Sequence, residues 1–289
     1  MIKPLIVTIT TLSLSMSAIA KENHSEHQIS IADNVIATQR ANLAISTKGR
    51  GFGPQSPRDL NSLVGTNPIN FSPAPAYTEM NLCNIHFHKN AEHSGGEFTT
   101  YAGNGNGNGQ GVTSGYQYSG KLTKAELMPV DHAVCSSEHG ALISGDTIEV
   151  HYVYSSAQVS PGPTLGACLN EAINNPQLRV ETQVFVLVND AKALDFSTLT
   201  ALDIKNGLHQ ALNMLSNTGE AIQYLGSTTG PSYNQVGSPF QVSWSVHPKV
   251  AKVNIDTVGK WCEGNVFKED HPHGVRNLVT NPALLSPMK

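Results

Sequence analysis

Cys83-Asn84-Ile85-His86-Phe87-His88-Lys89-Asn90-Ala91-Glu92-His93 decides how the chain is read. Its first half alternates polar and bulky residues, which is the period of a β-strand, where residues i and i+2 face the same way. Asn84–His88 therefore reads as a strand. Ile85 and Phe87 point to a packed side, and His86 and His88 project from the other, where two imidazoles can share one metal ion. Asn84 lies on the histidine face, placed to orient His86 from behind. Cys83 has the wrong parity to join them if the strand is regular.

A third ligand is supplied by Ile148-Glu149-Val150-His151-Tyr152-Val153-Tyr154, in which Glu149 and His151 again share a face. A carboxylate beside a ligand histidine accepts its second N–H, fixes the tautomer and raises its basicity. If the two strands are neighbours, His86, His88 and His151 make a three-imidazole site. Three nitrogen ligands with an open fourth position suit catalytic zinc, whereas structural sites close with four. The same ligands also take cobalt or other divalent ions. His93, His132, His139, His209, His247, His271 and His273 have no comparable context and read as surface or core-satisfied residues. His24 and His27 read as solvated.

Outward from these segments the chain is rich in strands and turns. It has 25 Gly and 16 Pro in 289 residues and is 39% hydrophobic, enough for a real core and favouring strands over a helical bundle. Thr147–Tyr154 is the second strand. Leu178–Val188 is a third, with the continuous apolar end of a buried strand. Phe240–Val246 and Val250–Ile255 follow as late strands around Pro248. Asp195–Leu215 has helical spacing, with Leu199, Leu202, Ile204, Leu208, Ala211 and Leu215 as core positions. Ile31–Ser46 reads as a short helix and Gly103–Gly111 as a low-complexity loop. No repeat or long linker divides the chain. The expected fold is mainly β (α+β): a single domain with a large twisted, mostly antiparallel sheet and a few peripheral helices.

The ends and the composition narrow the function class. Residues 1–20 have the short positive start, apolar run and Ser17-Ala18-Ile19-Ala20 cleavage site of a secretory signal peptide. Residues 21–50 form an N-terminal polar segment, and 51–289 the folded domain. The expected mature protein is exported, periplasmic or secreted, with no membrane association once the leader is gone. Only 14% of residues are charged and the formal net charge is −4, without a Lys/Arg block, which argues against nucleic acid as a partner. In an oxidising compartment Cys83, Cys135, Cys168 and Cys262 suggest two disulfides, with one disulfide and two thiols as the alternative. All three pairings stay open. A four-cysteine zinc site lacks C-x-x-C spacing.

These residues resemble the zinc-site segments of alpha-type carbonic anhydrases: Asn84-x-His86-x-His88, then Glu92-His93, then Glu149-x-His151. The string from His86 to His93 looks most like the delta class. Further pieces agree in the same order. Gln55-Ser56-Pro57 resembles an early family segment, Val180–Val188 the central apolar strand, Tyr224-Leu-Gly-Ser-Thr-Thr-Gly-Pro231 the late threonine loop, and Trp244 a pocket tryptophan. The resemblance runs from about Gln55 to Ile255. It implies reversible hydration of carbon dioxide to bicarbonate, with Zn²⁺ held by His86, His88 and His151 and a bound water acidified by the ion. It further implies an apolar wall of Val184, Val186 and Trp244, and a threonine that orients the nucleophile and donates to Glu92. Gap-free placement makes this Thr229; removing one residue makes it Thr228. Glu92 reaches the metal only if the chain turns tightly through Lys89-Asn90-Ala91. The family's usual shuttle histidine lies in a region that is much shorter here and is not carried over. Two rivals stand beside this reading: a cupin-like metalloenzyme using His86, His88, Glu92 and His151, from its H-x-H-x₃-E spacing, and a non-catalytic exported zinc-binding protein.

Overall fold

The computed structural model describes residues 72–103, 105, 111–173, 176–228, 240–275, 278–279 and 284–287, with backbone alone at 227–228 and 240–241. The expected leader, the polar segment with its helix at 31–46, the Gln55–Pro57 piece, most of the glycine-rich run and Thr229 lie outside the described residues.

The central sheet has five strands: β1 (Asn81–Lys89), β6 (Thr147–Ser155), β7 (Leu178–Val188), β11 (Phe240–Asn254) and β10 (Ile222–Thr228), in that order across it. The order of the sheet is open, with β1 and β10 at its ends. All neighbours are antiparallel except β7 and β11, which run parallel. Alternation along these strands separates two apolar layers. Ile85, Phe87, Val150, Tyr152, Phe185 and Leu187 belong to one. Val153, Val180, Val184 and Trp244 belong to the other, together with Cys83.

The first layer fixes the back of the histidine strand. Helix α2 (Ile255–Glu263) starts where the Asn254 side chain accepts from the Asp256 N–H, an N-cap that satisfies a free helix donor. Its Trp261 packs edge-on against Phe87 at 5.7 Å between ring centroids, and against Phe196 at 5.3 Å. The Cys135–Cys262 disulfide ties the end of α2 to β4 (Val134–Ser137). The second disulfide joins Cys83 to Cys168, and no cysteine is free.

Two expectations change. The helix expected over 195–215 is only α1 (Phe196–Leu199), capped by the Asp195 carboxylate on the Thr198 N–H. The chain then makes a hairpin of β8 (Asp203–Lys205) and β9 (Leu208–Gln210). Asn206 and Gly207 both have positive φ, 55° and 79°, as a two-residue type I′ turn requires. That turn chemistry outweighs the helical spacing, and Ile204, placed in the core by that spacing, is largely exposed. The two late strands are one, β11, whose register shifts between Val246 and Val250. Pro248 sits in that gap, where a residue without an N–H interrupts the ladder.

Candidate metal centre

The antiparallel pairing of β1 and β6 sets His86 opposite His151 and His88 opposite Glu149. His86, His88 and His151 each offer a nitrogen, and these atoms lie within 4.8 Å of one another. The His86 Nε2 and His151 Nδ1 atoms are 3.2 Å apart.

The other nitrogen of each ring is occupied. His86 Nδ1–H donates to Asn84 Oδ1 at 2.7 Å. His88 Nδ1–H donates to the Gly274 carbonyl at 3.3 Å. His151 Nε2–H donates to Glu149 Oε1 at 2.7 Å. All three acceptors lack a proton to give, so each neutral imidazole keeps its proton on the far side and aims a lone pair inward. Lone pairs facing each other at this distance repel unless a cation lies between them. Four-coordinate zinc with Zn–N bonds of 2.0–2.1 Å needs nitrogens roughly 3.3 Å apart. The donor set fits such an ion.

Electrostatics keep the rings in the required state. Burial, then the neighbouring His151 and His273, push the His86 pKa well below its usual value. His88 is lowered in the same way by burial, with His151, His86 and His273 adding to it. Burial also lowers His151, against an opposing pull from Glu149. Burial alone would raise the Glu149 carboxyl, but His93 and His151 outweigh it and hold it below the usual carboxylate range.

Glu149 is fully buried and bonds two histidines. Its Oε1 also accepts from His93 Nδ1–H at 3.1 Å. His93 Nε2 accepts from the Tyr224 hydroxyl at 2.7 Å. Burial and the nearby Glu92 and Glu149 raise the Tyr224 pKa well above its usual value, so the phenol keeps the proton it donates. Tyr224 stacks on Trp244, with rings 12° from parallel, and Trp244 meets His151 edge-on at 5.1 Å. Strand periodicity around His93 carries no sign of this role; the fold sets it beside Glu149.

The chain does turn tightly after β1. Asn90 has φ 68°, its N–H donates to the Thr147 carbonyl at 2.7 Å, and Ala91 and Tyr116 exchange both backbone bonds. The Asn90 side chain donates to the Ser114 carbonyl. Gly115 backs the turn with φ 104°, and a Cβ there would stand 2.7 Å from the Ala91 oxygen. Glu92 is thereby brought under the cluster, with Oε1 3.6 Å from His88 Nε2. It groups with Glu149 and His151, not with the three imidazoles as a set.

The register of β6 with β7 places the expected wall residues. Val184 and Val186 lie opposite Glu149 and Thr147, whereas Thr182 is opposite His151. Val153 and Val180 flank His151 on the Trp244 side, and Val180 pairs with Trp244. A residue without a sequence signal stands at the edge of the cluster. His273 lies 5.9 and 5.8 Å from the His86 and His88 rings, and its Nε2 bonds Glu269 at 2.9 Å. Its segment runs beside the end of β1: Lys89 N–H donates to the His273 carbonyl and His273 N–H to the Phe87 carbonyl.

A family description, delta carbonic anhydrase, matches residues 77–257, more than half of the chain. No curated protein sequence matches. Among solved structures the chain is similar to the alpha-carbonic anhydrase of Photobacterium profundum, at 15% identity over 83% of this chain and 92% of that one. The TM-score is 0.26, too low for that likeness to carry an argument. The family match and the open sheet remove the cupin-like alternative, since a cupin is a two-sheet jelly roll.

Proposed function

We propose that this chain, which belongs to the delta carbonic anhydrase family, hydrates carbon dioxide reversibly with a zinc ion held by His86, His88 and His151. It is a carbonic anhydrase, a lyase, and carbon dioxide and bicarbonate are its substrate pair. One observation carries the site: three inward lone pairs, each fixed by a different acceptor, lie within bonding reach of a single ion. Zinc bound there supplies a water with a pKa lowered to about 7, hence a nucleophile at neutral pH.

The chain supplies the rest. The neutral imidazoles bring no charge of their own to offset that of the ion. Asn84, Gly274 and Glu149 hold the ring planes still. Trp244, Val153 and Val180 offer an apolar wall beside His151, with Val184 and Val186 continuing it below. Following the family resemblance, Glu92 and the Thr229 hydroxyl are assigned the task of orienting the attacking oxygen. Cobalt suits the same three nitrogens. The leader read at residues 1–20 supports export, as do two disulfides, which persist in oxidising compartments. No helix among the described residues is long and apolar enough to cross a membrane.

The test is a stopped-flow pH-indicator assay on zinc-loaded protein. Carbon dioxide hydration that a chelator or a sulfonamide suppresses is expected. A folded, zinc-loaded chain without activity would leave only a zinc-binding protein.

A further inference from the structure

The histidine strand is not regular where it approaches the site. In the pairing of β1 with β6, Leu82 faces Tyr154 and Asn84 faces Val153, so Cys83 is an extra residue, a β-bulge. The bulge reverses the parity expected for Cys83. Its side chain joins the layer of Val153, Val180 and Trp244 rather than the layer of Leu82 and Ile85. Bulges leave a residue unpaired and re-aim its side chain, and this one is held from outside the sheet.

The holder is the segment 162–168. Gly162 N–H donates to the Cys83 carbonyl at 3.0 Å. The Gly162 carbonyl accepts from Asn84 Nδ2 at 3.0 Å. Cys168, at the end of the 3-10 turn Leu165–Cys168, is disulfide-bonded to Cys83, and both sulfur residues are fully buried. The Cys168 carbonyl is tied in turn to β6 by the Ser155 hydroxyl at 2.7 Å. Asn84 is itself buried. With its amide nitrogen committed to Gly162, its Oδ1 is left facing His86 Nδ1. The amide cannot flip without breaking both bonds.

We infer that the disulfide-anchored segment 162–168 is a positioning device for the metal centre: it fixes the Asn84 side chain, and Asn84 fixes the tautomer and plane of His86. The inference rests on the three-histidine site above. Cys83–Cys168 then acts on metal retention, whereas Cys135–Cys262, in the layer behind the sheet, acts on stability alone. Partners behind a ligand histidine typically contribute about 10–100-fold in metal affinity.

The experiment compares two disulfide deletions, Cys83→Ala with Cys168→Ala, and Cys135→Ala with Cys262→Ala. Zinc affinity is measured by chelator competition, and nitrogen-15 histidine spectra of the metal-free proteins report each ring N–H. The first deletion should weaken zinc about tenfold or more and broaden the His86 Nδ1–H signal alone. The second should leave both unchanged. Equal zinc affinities in the first variant and the parent, or loss of the His88 and His151 signals together with that of His86, would overturn the inference. If the first variant does not fold, Gly162→Pro removes the N–H donated to the Cys83 carbonyl and leaves Asn84 and both disulfides in place. Weakened zinc binding and a broadened His86 Nδ1–H signal are expected there, and parental values of both would overturn the inference. A parent that binds no zinc would instead overturn the site itself.

Discussion

Replacing Glu149 separates its two tasks, satisfying buried donors and supplying charge. In Glu149→Ala the His151 Nε2–H and His93 Nδ1–H groups lose the oxygen they share at 2.7 and 3.1 Å. Both sit where solvent does not reach. Each stranded donor costs about 1–3 kcal/mol, so a loss of about 2–6 kcal/mol is expected. Both bonds end on the same oxygen, Oε1, so Glu149→Gln can still satisfy them. It gives up the surplus of charged over neutral hydrogen bonds, about 1 kcal/mol each, and turns an amide NH₂ toward the His93 backbone N–H, which donates to Oε2 at 3.5 Å in the parent. Metal affinity should order differently. The carboxylate charge raises the basicity of His151, and an amide does not replace it, so both variants should weaken zinc by about 10–100-fold. Denaturant unfolding of the metal-free proteins and chelator competition read the two quantities separately. Parental stability in Glu149→Ala, or parental zinc affinity in Glu149→Gln, would refute the reasoning.

Acid should destabilise the metal-free protein from the ordinary histidine range downward. His86, His88 and His151 have folded pKa values below the usual 6.5, so below about that pH the unfolded chain binds more protons and unfolding is favoured. Each such group adds a slope of about 1.4 kcal/mol per pH unit until its folded pKa is reached; a flat profile between pH 7 and 5 would contradict this. Asn90→Val should cost about 2 kcal/mol or more, since a β-branched residue resists φ 68°; Asn90→Gly should lose only the Ser114 hydrogen bond, about 1 kcal/mol, as thermal unfolding would show. Gly207→Val should cost about 1–2 kcal/mol through its left-handed turn yet leave zinc affinity unchanged; a change in affinity would couple the hairpin to the site. Thr229→Ala should keep zinc and lower turnover in the stopped-flow assay, and an effect confined to Thr228→Ala would move the loop register by one residue.

Strand parity made much of the site legible. His86, His88 and His151 share a face because i and i+2 must, and the same rule finds Asn84 and Glu149. What local pattern misses is contact made across the fold. His93 and His273 sit beside the cluster through a chain reversal at Asn90 and a parallel contact after α2, and neither leaves a periodic trace. The bulge at Cys83 was hidden for a related reason: one extra residue breaks the parity rule that made its neighbours readable. At 195–215 two signals competed. Apolar spacing spoke for a helix, but Asn206-Gly207 is a stronger local constraint, because two consecutive positive φ angles cannot be absorbed in an α-helix. Val184 faces the expected side, and the register adds Val180, which stands as far from the His151–Thr182 pair in the other direction.

X-ray absorption at the zinc edge of the loaded protein, set against His151→Ala and Glu92→Gln, tests the three-imidazole centre most directly. One zinc per chain is predicted, with imidazole scattering from three rings at about 2.0–2.1 Å, unchanged in Glu92→Gln and lost with the metal in His151→Ala. Full zinc retention in His151→Ala, or a ligand shell that changes in Glu92→Gln, would contradict it.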